Sequence, residues 1–122
     1  MANPIVHVEL HTKDVVKAKA FYANLFDWTL EDIPSPDGGT YTIVKVGEGT
    51  GGGMMNNPAP FVPSHWLAYV GVDDIQVATK KASDLGATVV HDVMEVGAYG
   101  WMSVITDPTG ATIAMWQEKP KS

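Results

Sequence analysis

Between Ile5 and Leu10 apolar and polar side chains alternate. Val6, Val8 and Leu10 make one apolar face, and Ile5, His7 and Glu9 a mixed one. That period of two predicts a strand with one face on a core and the other on something else. From Val15 the period lengthens: Ala18, Phe21, Tyr22, Leu25 and Phe26 recur at helical spacing, with Lys17, Lys19 and Asn24 on the other side. Thr12 or Asp14 is placed to cap that helix. Residues 28–33, 40–46 and 52–55 read as further strands, broken by turns at Pro34-Ser35-Pro36-Asp37-Gly38-Gly39 and Gly47-Glu48-Gly49-Thr50-Gly51.

The plan then recurs. Asp14-Val15 to Leu25-Phe26 maps onto Asp74-Ile75 to Leu85-Gly86 with an offset of sixty residues, and Gly49 to Met54-Met55 maps onto Gly110 to Met115-Trp116 with an offset of sixty-one. A unit present only twice is no solenoid, which needs three or more repeats. It predicts two similar units that close on each other, and the space between them is a natural place for a ligand. The second copy places a strand over 65–72, a helix from Asp73 or Asp74 through Leu85 with Gly86 just past its end, and strands over 87–94, 100–106 and 111–117. Asp107-Pro108-Thr109-Gly110 reads as a tight turn. Pro58, Pro60 and Pro63 stiffen the connection, giving one domain of 122 residues: a β-α-β-β-β unit over about 4–56, a proline-rich link over 57–64, and a second such unit over about 65–117.

Composition narrows the chemistry. With no cysteine, thiolate zinc sites, disulfides and cysteine nucleophiles are excluded, which fits a cytoplasmic setting. Neither a signal-like leader nor an apolar run near the roughly 20 residues of a membrane span is expected. The net charge of −6 disfavours nucleic acid as a partner. All eight basic residues are lysines, so no guanidinium fork is present to clamp a phosphate or carboxylate. No serine–histidine–acid arrangement, phosphate loop or dinucleotide fingerprint is recognisable, and Gly51-Gly52-Gly53 reads as a place of close backbone approach.

The duplicated unit, its start Val6-His7-Val8-Glu9-Leu10 followed by Asp14, Phe21-Tyr22, Leu25-Phe26 and Trp28, and the closing Asp107-Pro108-Thr109-Gly110-Ala111 with Met115-Trp116 together resemble the glyoxalase/bleomycin-resistance/dioxygenase family, also called the vicinal oxygen chelate superfamily. The resemblance covers nearly the whole chain. It implies an α+β fold in which two tandem βαβββ units form a curved, cup-shaped sheet with helices outside. It also implies a divalent metal at four strand positions, two per unit, and frequent pairing as a homodimer. Carried onto this chain, those positions are His7, Gly53, Leu67 and Ala114. Only the first can donate to a metal, whereas such ions take three or four protein donors. Glu9 and His65 share faces with His7 and Leu67, so a displaced His7/Glu9/His65 set is the alternative, each donor about 6–7 Å along its strand from the family position.

The same alternation lines the cup with His7, Met55, Leu67, Tyr69, Trp116 and, if the 107–110 turn pairs residues symmetrically, Trp101 opposite Trp116 with Ser103 beside Ala114. Trp101 and Trp116 divide between wall and core, and Trp28 and Trp66 read as core or interface. The pair His7 and Glu9 invites chemistry: a carboxylate orients an imidazole that then acts as general base. The competing reading puts Glu9 at a wet rim, with His7 bonded to a neighbour. His11 and His91 read as surface residues. Two functions follow, beside a third reading in which the chain is half of a larger assembly with its site completed across a homodimer. One is metal-independent binding of a small aromatic or apolar molecule, with no cofactor. The other is a metal-dependent lyase, isomerase or dioxygenase.

Overall fold

A computed structural model describes residues 2–35, 38–59 and 61–120. Pro36 and Asp37 of the expected turn, and Pro60 of the expected link, lie outside the described residues. Among the described residues the chain forms eight strands and two helices in the predicted order. These are β1 (Ile5–Thr12), α1 (Val15–Leu25), β2 (Thr29–Pro34), β3 (Thr40–Lys45), β4 (Gly52–Asn56), β5 (His65–Gly71), α2 (Ile75–Asp84), β6 (Thr88–Val96), β7 (Gly100–Thr106) and β8 (Thr112–Glu118). Each half therefore runs β-α-β-β-β. They segregate into two compact units, His7–Leu67 and Met1–Val6 with Ala68–Ser122. The first residues join the later unit because the Gly71 amide donates to Pro4 O at 2.8 Å and Asn3 Nδ2 donates to Gly71 O at 2.9 Å.

In the His7–Leu67 unit the strand order is β2-β3-β4-β1, with β1 parallel to β4 and the other pairs antiparallel. Leu10, Val44 and Met54 form its buried centre, against which Val15, Ala18, Tyr22, Trp28, Leu30 and Val46 pack. The even-numbered face of β1 thus meets α1, and the odd-numbered face carries His7, Glu9 and His11. The Asp14 carboxylate accepts from the Lys17 amide at 3.0 Å and starts α1. Gly52 is required where it stands: a Cβ there would lie 2.0 Å from the Val8 carbonyl oxygen.

In the other unit the order is β5-β8-β7-β6, with β5 parallel to β8. Asp74 caps α2 by accepting from the Val77 amide at 3.2 Å, and Gly86, at φ +104°, ends it in the left-handed region. Inside, Thr79 Oγ1 donates to Ile75 O at 2.6 Å and lies 2.9 Å from Ser103 Oγ. Since the threonine hydrogen is spent on the carbonyl, Ser103 donates to it.

One register differs from the expectation. Met102, not Trp101, stands opposite Trp116, and Ser103 stands opposite Met115 while Val104 faces Ala114. The turn is one residue longer than a symmetric four-residue reading allows. Asp107 binds Ala111 both through its amide (2.7 Å) and through its carboxylate (3.1 Å), and Gly110 has φ +99°. One extra residue flips a strand's faces. Trp101 and Ser103 therefore point to the α2 side. Met102 and Val104 share the opposite face with Trp116 and Ala114.

Candidate functional site

The polar face of β1 gathers a hydrogen-bonded cluster within the His7–Leu67 unit. Glu9 Oε1 accepts from His11 Nε2 at 2.6 Å, and Glu9 Oε2 accepts from the Tyr41 hydroxyl at 2.6 Å. Tyr41 Oη is in turn 2.8 Å from His7 Nε2, which is itself 3.7 Å from Glu9 Oε2. The His65 ring meets His11 edge-on with centroids 5.1 Å apart, and its Nδ1 donates to Pro63 O at 2.8 Å. Strand register explains the assembly: Glu9 stands beside Gly53, and His11 beside Met55. Gly53 leaves the room that Tyr41 uses, because a Cβ on it would lie 1.7 Å from Tyr41 Oη.

Glu9 is only 8% exposed and His11 9%. This burial goes against the competing wet-rim reading of Glu9 and corrects the expectation that His11 is a surface residue. Burial alone would push the Glu9 carboxyl up. The hydrogen bonds from His11, His7 and Tyr41, with the charge attraction of His11, outweigh it and hold the carboxyl well below its ordinary value. The site thus contains an ionised carboxylate that orients a histidine on one oxygen and a phenol on the other. Tyr41 was not anticipated. His11 could have been found, since it continues the odd-numbered alternation of β1; the Gly51-Gly52-Gly53 run marked a close approach without showing that Tyr41 makes it.

The other expected residues distribute by unit. Met55 lies beside His11, and Leu67 is buried at the end of the same unit. In the other unit, Tyr69 pairs with Ala114 and meets the Trp116 ring edge-on at 6.5 Å. The Trp116 indole lies over Gly100, where a Cβ would approach it to 2.7 Å. Ser103 is bonded to Thr79 on α2. Trp101 lines a groove with Asp73, Ile75, Val93 and Gln117, and Lys119 Nζ lies 5.1 Å from the centre of its ring. His91 is exposed, as expected.

The four positions at which the resemblance implies a metal do not suit one. Leu67 and Ala114 are buried and apolar, and Gly53 lies under Tyr41. Of the displaced set, His65 meets the His11 ring edge-on, and His7 lies 3.7 Å from Glu9. Among the described residues no three His, Asp or Glu side chains are arranged around a common ion position.

Comparison with known proteins places this geometry in context. A family model described as the Glyoxalase/Bleomycin resistance protein/Dioxygenase superfamily matches residues 4–115. A protein named putative glyoxylase CFP32 from Mycobacterium bovis is 39% identical over 114 residues, which cover 90% of this chain and 44% of that protein. The anthracycline biosynthesis protein DauV from a Streptomyces species (strain C5) is 28% identical over 124 residues, covering 90% of this chain and 45% of its own. The chain therefore spans less than half the length of these curated relatives. Among solved structures, hypothetical protein BH1468 from Bacillus halodurans C-125 superposes with a TM-score of 0.75 at 13% identity, covering 100% of this chain and 99% of that one. Methylmalonyl-CoA epimerase from Mycobacterium tuberculosis gives 0.71 at 16% identity, covering 95% and 88%. Likeness at such identities establishes the fold alone.

Proposed function

Starting from a chain that belongs to the glyoxalase/bleomycin resistance/dioxygenase superfamily, we propose that it binds a small aromatic or apolar organic molecule without a metal, using the His7–Tyr41–Glu9–His11 cluster as its polar contact. One observation carries this reading. The place where a side chain at position 53 would stand is filled by the Tyr41 hydroxyl, which bridges His7 and Glu9. Hydrogen bonding takes the place of chelation. A few convergent polar groups in a mostly apolar setting are what orient a small ligand. Binding of a small organic molecule is supported by one relative that is named an anthracycline biosynthesis protein. The protein is expected to work in the cytoplasm and as a homodimer, the pairing that the resemblance implied.

A thermal-shift screen of small aromatic hydroxyl and carbonyl compounds tests the reading. A ligand at 100 times its dissociation constant adds about 2.7 kcal/mol of stability. The account expects such a shift in the wild type and its loss in His7→Ala. A hit whose shift survives that substitution places the ligand elsewhere. The relative named putative glyoxylase keeps a second reading open, a metal-dependent lyase, isomerase or dioxygenase using His7, Glu9 and His65. Stoichiometric divalent metal that disappears in His7→Ala would establish that reading instead.

A further inference from the structure

We infer that one side of α1 is a self-docking face, on which a second copy of this chain packs with the two α1 helices antiparallel across a two-fold axis. The face is aromatic and open. The rings of Phe21, Tyr22, Phe26, Trp28 and Trp66 form a continuous series of contacts, with neighbouring centroids 4.8–6.4 Å apart. Yet Phe21 is 58% exposed, Phe26 46% and Trp66 39%, and Leu25, one turn on from Phe21, is 55% exposed. Three aromatic side chains at about half exposure leave roughly 300 Å² of apolar surface in water, a patch size that is often functional. The duplication supplies a control. At the offset of sixty, Phe21, Tyr22 and Phe26 correspond to Lys81, Ala82 and Gly86. The fold does not need rings at these places, so their presence in the first copy serves something else.

Charge selects the occupant. Lys17, Phe21 and Leu25 stand four residues apart on α1 and form one ridge, the kind that packs into the groove of a facing helix. With Phe21 at the axis of an antiparallel pair, the Lys17 stem of one protomer lies along the partner's Leu25, and its ammonium reaches the partner's Asp27 just past the helix end. Lys17 and Asp27 are both exposed, and neither joins an ion pair among the described residues. α1 has no basic residue in its own last turn, so the incoming ammonium also meets an unanswered negative helix end. Each copy offers both the cation and the anion, and the pair forms twice, as a two-fold interface requires. This pairing gives the homodimer expected above its interface and rests on that expectation, whereas ligand and metal do not enter it.

Sedimentation equilibrium tests the pairing. The wild type is expected at twice the mass of the chain. Phe21→Lys, which installs the residue that α2 carries at the matching place, is expected to be monomeric with an unchanged circular dichroism spectrum. Lys17→Asp and Asp27→Lys are each expected to raise the dimer dissociation constant roughly tenfold or more, because like charges then meet twice across the axis. The double variant is expected to restore it. A dimer that survives Phe21→Lys places the interface elsewhere and overturns the inference, leaving the homodimer itself standing. Charge reversals without effect, or not restored in the double variant, overturn the antiparallel pairing. Both change exposed side chains, so they decide the matter where Phe21→Lys fails to fold. A monomeric wild type overturns the inference and the homodimer together, the face then fitting an unlike partner. None of these outcomes depends on the thermal-shift screen, whose failure would sink the binding function alone.

Discussion

Glu9 survives inside the sheet as a charge because its two oxygens take hydrogen bonds from two different strands, β1 and β3. A buried carboxylate without such partners would protonate or fail to fold. The folded state holds the proton off Glu9 to a lower pH than the unfolded chain, whose carboxyl titrates near 4.5. As pH falls the unfolded chain binds the proton first, so stability from this group is complete above that value and declines below it. Acid unfolding monitored by circular dichroism is expected to lose much of its slope below pH 4.5 in Glu9→Gln. Asp32, held down by Lys19 and Thr42, and Asp107, held down by Thr109 and Ala111, keep their own slopes in that variant. At neutral pH the same substitution is expected to cost about 2 kcal/mol, the worth of a charge-assisted hydrogen bond, measured by urea denaturation. No loss would mean that the cluster contributes nothing to folding. The sequence exposed part of this. The alternation of β1 put His7 and Glu9 on one face, and His11 followed by the same rule. Tyr41 was hidden because its partners lie on a strand more than thirty positions away in sequence, a pairing that local periodicity does not encode.

At the scale of elements, glycines and turns decide where side chains can go. Gly52 faces a backbone carbonyl at 2.0 Å and Gly53 faces a side-chain hydroxyl at 1.7 Å, so the two respond differently to a methyl group. Tyr41 can swing aside, and Gly53→Ala is expected to cost about 1–3 kcal/mol, the range for overpacking. The Val8 carbonyl cannot move without breaking the β1–β4 pairing, and Gly52→Ala is expected to cost distinctly more. Equal losses in chemical denaturation would contradict this ranking. The helix caps test the repeat itself. Asp14 and Asp74 make equivalent bonds to the third residue onward, and each Asp→Ala change is expected to cost about 1 kcal/mol. Strand and helix positions and the caps were legible from periodicity and punctuation. The face of β7 was not, because whether Ala111 belongs to the turn or to the strand depends on how the Asp107 carboxylate closes the loop. That one residue moved Trp101 and Ser103 to the side of α2.

For the molecule as a whole, duplication gives the family and two β-α-β-β-β units, and the proposed function turns on what stands at the repeated positions. The inherited positions read His7 and Gly53 in one half against Leu67 and Ala114 in the other, and the cluster grew around His7 alone. Two residues from His7, the Glu9 carboxylate is held by His11 and Tyr41. The most direct measurement is elemental analysis of protein purified without a histidine tag or chelator from cells supplied with zinc, nickel, cobalt, manganese and iron. The account predicts far less than one equivalent of any of these per chain. One equivalent in the wild type, absent from His7→Ala, would contradict it.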